Sequence, residues 1–178
     1  MSHQEIFQIL SEDLGNIGVS FLLVGGYAVN FYKVTRQTLD VDFLIAEENL
    51  ERVSKVLISA GFRLELKEQS FARFAGDSTF MTADFLLTDS KTFSGIFKES
   101  KEISMAGYKF RVPSLKHLIA MKLHSIKNDP KNRELKDLPD IVKLIRENKL
   151  DYRSPEFREL CLQYGDESSY KKLMDYLS

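Results

Sequence analysis

At 178 residues, 43% hydrophobic and 29% charged, the chain has the size and balance of one soluble globular domain, or a domain with a small helical appendix. No apolar run approaches the roughly 18 to 20 residues that a membrane helix needs, and MSHQEIFQIL lacks the basic region and cleavage site of a signal peptide. Cys161 is the single cysteine, which excludes an internal disulfide; the expectation is a cytoplasmic protein without membrane attachment.

Residues 4–17 predict an amphipathic helix with Ile6, Phe7, Ile9, Leu10, Leu14 and Ile17 on one stripe, ended by Gly18. Phe21 to Val24 reads as a short buried strand, Gly25-Gly26 as a turn, Tyr27 to Tyr32 as a short helix and Leu39 to Ala46 as a second strand. Glu47 to Ala60 predicts a helix with acids in its first turn and Gly61 beyond its end. Phe62 to Lys67, Phe71 to Ala75 and Phe80 to Leu87 read as strands. Asp89 reads as the cap of a helix over Lys91 to Phe97. Lys101 to Met105 and Tyr108 to Val112 flank Ala106-Gly107 as a hairpin.

After Pro113 the pattern turns helical, over Ser114 to Ile126, Leu138 to Glu147, Pro155 to Tyr164 and Glu167 to Leu177. Asn128 to Arg133 (NDPKNR) reads as a polar turn between the first two. The expected architecture is α+β, a mixed and mostly antiparallel sheet flanked by helices. Residues 1–112 form the α/β core and 113–178 a helical part packed on it. Charge is uneven along this plan. Residues 97–146 hold 12 Lys/Arg against 6 Asp/Glu, whereas residues 1–96 hold 8 against 13. The basic stretch is either a solvated helical surface or a wall for phosphates or RNA.

Two acids sit where a strand should be apolar. Side chains alternate along a strand, so Asp40 and Asp42 in TLDVDFLI share a face while Val41 and Phe43 turn to the core. Two like charges this close repel, and burying them unpaired costs several kcal/mol. A divalent cation, Mg²⁺ or Mn²⁺, removes the conflict, since it takes a few carboxylates and shares its remaining shell with water and phosphate oxygens. Asp84, in FMTADFLL, is the candidate third ligand from another strand. Gly25-Gly26 after a strand lets backbone approach a phosphate with no Cβ between, and the helix that follows turns its N–H groups toward an anion.

The stretch VGGYAVNFYKVTRQTLDVDFLI resembles the DNA polymerase β-like nucleotidyltransferase superfamily, with its diglycine, helical spacer, Asp-x-Asp and later third Asp. RQTLDVDFLI and PSLKHLIAMKLHSIKNDPKNRELKDLPDIVKLI resemble, more narrowly, the AbiEii-like toxin nucleotidyltransferases and their small relatives. The resemblance covers residues 21 to about 146 and implies that fold, with Asp40, Asp42 and Asp84 around the metal and NTP as substrate. It implies transfer of an NMP to an acceptor hydroxyl on RNA, tRNA or protein, with release of pyrophosphate. It also implies a toxin–antitoxin setting with an antitoxin-like protein partner. Lys122 matches the lysine expected at the nucleotide phosphates, and Asp137 a second-block aspartate that the family's toxins need for activity.

Each remaining residue has two readings. Thr38 either hydrogen-bonds a phosphate or fills a β position, and Arg36 either meets the triphosphate through its planar fork or is a solvated loop arginine. Lys122 lies beside the apolar stripe of Leu115, Leu118, Ile119 and Leu123 and so needs a partner; it is a phosphate ligand or a snorkelling lysine. Asp137 stands where a helix cap belongs, just before Leu138-Pro139, and Asp140 in the first turn after it. The rival to the enzyme is a non-catalytic nucleotide-binding or partner-binding module of the same fold.

Overall fold

A computed structural model describes residues 3–76 and 82–178, with side chains from residue 6 onward. The chain falls into two units, Met1–Ala28 with Gln37–Ser114, and Val29–Arg36 with Leu115–Ser178. The first opens with α1 (His3–Gln8), which continues as a π-helical stretch over Ile9–Leu14 and buries Ile6, Phe7, Leu10 and Leu14. The elements β1 (Leu22–Leu23), α2 (Gly25–Phe31), β2 (Val41–Ala46), α3 (Leu50–Ser59), β3 (Phe62–Lys67), β4 (Phe71–Gly76), β5 (Thr82–Thr88) and α4 (Ser90–Lys98) follow. A hairpin of β6 (Lys101–Met105) and β7 (Tyr108–Val112) completes this series. Asp89 caps α4 as its spacing predicts, its side chain accepting from the Thr92 N–H. Phe80 and Met81, predicted to open β5, lie outside the described residues.

The sheet has five strands in the order β1-β2-β5-β4-β3. Among the described residues β2 and β5 run parallel and the other neighbours antiparallel, the mixed and mostly antiparallel sheet expected of the α+β class. Alternation explains its two faces. On one, Phe43 stands beside Phe85 in register with ring centroids 5.2 Å apart, and Phe74 meets Phe85 edge-on at 5.7 Å. All three rings are fully buried, each contributing about 1.5–3 kcal/mol by leaving water. The residues between them, Asp42, Asp84 and Arg73, therefore emerge on the opposite face.

The helical unit comprises α5 (Leu115–Asn128), α6 (Pro130–Glu147), α7 (Pro155–Tyr164) and α8 (Glu167–Leu177), joined by residues 29–36. Helices α5 and α6 pack against each other, and Leu118, Ile119, Leu123 and Ile126 of the one and Leu138, Ile141, Leu144 and Ile145 of the other are buried. Two expectations need correction here. NDPKNR is not a turn: α6 starts eight residues earlier than Leu138, because Asp129 accepts from the Asn132 N–H and Pro130 occupies the first turn. Asp137 is then no helix cap and Asp140 no first-turn acid; both lie in the helix interior. Pro139 is tolerated mid-helix because the carbonyl it fails to serve belongs to Leu135, which is 88% exposed and open to water.

Cys161 lies in α7 with no exposed surface, and burial pushes its thiol up to about 12. The folded state thus favours the neutral thiol, while the unfolded chain ionises it from about pH 8.5. Stability should fall as pH rises above that value and keep falling toward the folded one. Native protein at pH 8 should resist iodoacetamide and react fully in urea; rapid native labelling, followed by mass spectrometry, would contradict the burial.

Candidate active site

The parallel register of β2 and β5 sets Asp42 beside Asp84 as direct Cα partners, on strands about 4.8 Å apart. Asp40 precedes β2, which begins at Val41, two residues later than the predicted Leu39, and its Oδ1 accepts from Thr82 Oγ1 at 2.8 Å. Asp84 is nearly buried, and both its oxygens are taken by one side chain that the sequence reading passed over. Arg73 on β4 is its register partner and closes a fork on it, Nε to Oδ1 at 2.8 Å and Nη2 to Oδ2 at 2.6 Å. The hydrogen bond to Asp84 raises the Arg73 guanidinium pKa against the opposing effect of burial, and the charges of Asp84, Asp40 and Glu65 add to it. The only signal in the sequence was an arginine set among small and aromatic residues in FARFAG, on a strand otherwise fit for burial.

The glycines make room for this cluster. Gly25 opens α2, two residues before the predicted helix start, with φ +57°, and a Cβ there would lie 1.8 Å from Asp42 Oδ2 and 2.5 Å from Asp42 Cγ. A Cβ on Gly26 would lie 2.6 Å from Thr38 Cβ and 2.7 Å from its Oγ1. Thr38 in turn donates from Oγ1 to the Asp40 carbonyl at 2.9 Å, fixing the turn that leads into the acidic pair.

This donor set suits Mg²⁺ in kind. Among the described residues no three His, Cys, Asp or Glu side chains converge on one point. Mg²⁺ does not require that, because it binds through one or two carboxylates and completes its octahedron with water and substrate phosphates. The two in-register carboxylates, Asp42 and Asp84, supply that number. A guanidinium already resting on one of them shows that the face accepts a cation.

The helical unit holds the other predicted residues in a charge network. Lys122, 6% exposed, donates to Asp137 Oδ1 at 2.7 Å and to Asp140 Oδ2 at 2.8 Å. Arg36 Nη1 donates to the same Asp140 oxygen at 2.5 Å. Arg133 Nε stands 2.9 Å from Asp137 Oδ2 but aims its N–H at Ser125 Oγ, 2.7 Å away, so that oxygen has an ion-pair neighbour and no aligned donor. The partner that Lys122 required is thus a pair of carboxylates three residues apart on α6, of which Asp140 also engages the loop arginine. Neither pairing was visible at the separations of 15, 18 and 104 residues involved.

A mixed α+β sheet with acids on two adjacent parallel strands, opened by a diglycine, defines the nucleotidyltransferase fold class. The family described as uncharacterised nucleotidyltransferase matches residues 26–177, and the chain belongs to it. No curated protein is significantly similar in sequence. Solved structures share the fold. The antibiotic-resistance factor ANT(2″)-Ia matches with a TM-score of 0.64 at 14% identity over 96% of this chain and 94% of that one. An antigenic nucleotidyltransferase-like protein from Paracoccidioides brasiliensis matches at 0.58 and 15% over 98% and 91%. The lincosamide antibiotic adenylyltransferase LnuA matches at 0.54 and 16% over 79% and 98%. No helix among the described residues is long and apolar enough to cross a membrane.

Proposed function

We propose that this chain is a metal-dependent nucleotidyltransferase that moves an NMP from an NTP to an acceptor hydroxyl and releases pyrophosphate. The carrying observation is the register that sets Asp42 beside Asp84, with Gly25 leaving the Asp42 carboxylate its space. Asp40, Asp42 and Asp84 would hold Mg²⁺ or Mn²⁺. Bound there, the metal supplies charge neutralisation at the phosphates and activation of the attacking oxygen. Asp84 also accepts the proton of the incoming hydroxyl. Gly25, Gly26 and Thr38 shape the backbone that approaches the triphosphate. In the helical unit, Arg36 and Lys122 are proposed as phosphate-binding cations, and Asp137, which has no exposed surface, acts through Lys122 as a positioning residue.

For the acceptor, the excess of Lys and Arg over residues 97–146 favours RNA such as tRNA. The resistance factor and the lincosamide adenylyltransferase among the structural neighbours make a small hydroxylated antibiotic the competing acceptor. The AbiEii-like motifs add a protein acceptor and an antitoxin-like partner. Incubation with each labelled NTP, Mg²⁺ and total tRNA, followed by separation of RNA from protein, should show transfer that disappears in Asp40→Ala and Asp42→Ala. Label transfer unchanged by those substitutions would remove the proposal.

One observation favours the non-catalytic module, namely that both Asp84 oxygens are already occupied by Arg73. Thermal shift separates the two readings: a catalytic site is stabilised by NTP with Mg²⁺ and much less by NTP with EDTA, whereas a partner-binding module responds to neither.

A further inference from the structure

We propose that Arg73 is a positioning residue for nucleotidyl transfer, a fork that holds the Asp84 carboxylate plane in the orientation required for metal. This inference rests on the metal-dependent reading above. The terminal torsion of an aspartate is broad and roughly two-fold, so an unheld Asp84 would sample many carboxylate orientations. Two parallel hydrogen bonds, at 2.8 Å and 2.6 Å, remove that freedom. A carboxylate offers about four lone-pair sites. The fork uses one on each oxygen and leaves one on each for a cation.

The sheet order makes the arrangement directional. With β5 between β4 and β2, Asp84 has the Arg73 guanidinium on one flank and Asp42 on the other. Arg73 is itself held from below, its guanidinium carbon 5.7 Å from the Phe71 ring centroid two residues earlier on the same strand face. Its positive charge also moderates the repulsion that Asp84 meets from the carboxylates around it. Lysine cannot take this role, because an ammonium is a point charge with no planar fork.

The test is Mn²⁺ binding to the whole chain, read by electron paramagnetic resonance without nucleotide or turnover. Melting temperatures are measured alongside, for wild type, Arg73→Met, Arg73→Lys and Asp42→Asn. Partners that orient metal-binding carboxylates typically carry about 10- to 100-fold in affinity. Arg73→Met should therefore weaken Mn²⁺ binding by that factor. Arg73→Lys, which restores charge and spares the strand, should recover melting temperature but not affinity. Wild-type affinity in Arg73→Lys, or equal or tighter binding in Arg73→Met, would overturn the inference, tighter binding making Arg73 a competitor for the cation. Failure of wild type to bind Mn²⁺ better than Asp42→Asn would instead sink the metal-dependent reading itself and this inference with it.

Discussion

Asp137→Ala should destabilise the helical unit by about 3–5 kcal/mol, the usual consequence of removing one partner from a buried ion pair. In a chain of this length that lowers the melting temperature by roughly 6–20 °C. The reason is local. Lys122 is 6% exposed and Asp137 has no exposed surface, so neither charge can recover hydration when the other is lost. Asp140 cannot take over, since its Oδ2 already serves both Arg36 and Lys122. Two cations would then share one carboxylate, while Arg133 would keep Ser125 and solvent. Replacing the pair together, as Lys122→Met with Asp137→Leu, removes both charges and keeps the volume, and should recover most of the loss. That double variant also separates fold from chemistry. A stable protein without NMP transfer supports Lys122 as a phosphate-binding cation, whereas a stable protein with full transfer limits the network to structure. An Asp137→Ala protein melting within about 2 °C of wild type would show that the network is not a buried charge cluster.

The readable parts of this molecule are those where local chemistry and tertiary packing agree. The hairpin over Lys101–Met105 and Tyr108–Val112, and helices α7 and α8, occupy the predicted residues because turn glycine, caps and periodicity all act within a few positions. The strand acids were legible for the same reason: a carboxylate between Val41 and Phe43 conflicts with its own neighbours. What the sequence hid is long-range register. Nothing local says that β4 pairs with β5 so that Arg73 meets Asp84, or that α5 pairs with α6 so that Lys122 meets two aspartates. The start of α6 was legible in principle, since Asp129-Pro130 is a cap followed by a first-turn proline. The polar composition of NDPKNR outweighed that signal, and Pro139 suggested a boundary where solvent in fact tolerates the break.

Gly25→Ala should abolish NMP transfer nearly as completely as Asp42→Asn, although it removes no carboxylate. An added Cβ would lie 1.8 Å from Asp42 Oδ2, 2.5 Å from Cγ and 2.8 Å from Cβ. Rotating the carboxylate clears the first contact but not the last, so either α2 or β2 must shift. At φ +57° an alanine also carries about 1–2 kcal/mol of left-handed strain. A displacement of about 1 Å in a group that positions reacting atoms costs on the order of 100-fold in rate. Such a shift moves Asp42 out of register with Asp84, and a loss of at least that size is expected. The two substitutions dissect the site differently: Asp42→Asn keeps the position and removes the charge, whereas Gly25→Ala keeps the charge and moves it. Adding Asp42→Ala to Gly25→Ala should return part of the lost stability, because two of the three close contacts vanish, giving a coupling energy of about 0.5–3 kcal/mol in chemical denaturation. Strictly additive stabilities, or wild-type transfer by Gly25→Ala, would mean that the diglycine does not hold open the space in which Asp42 works.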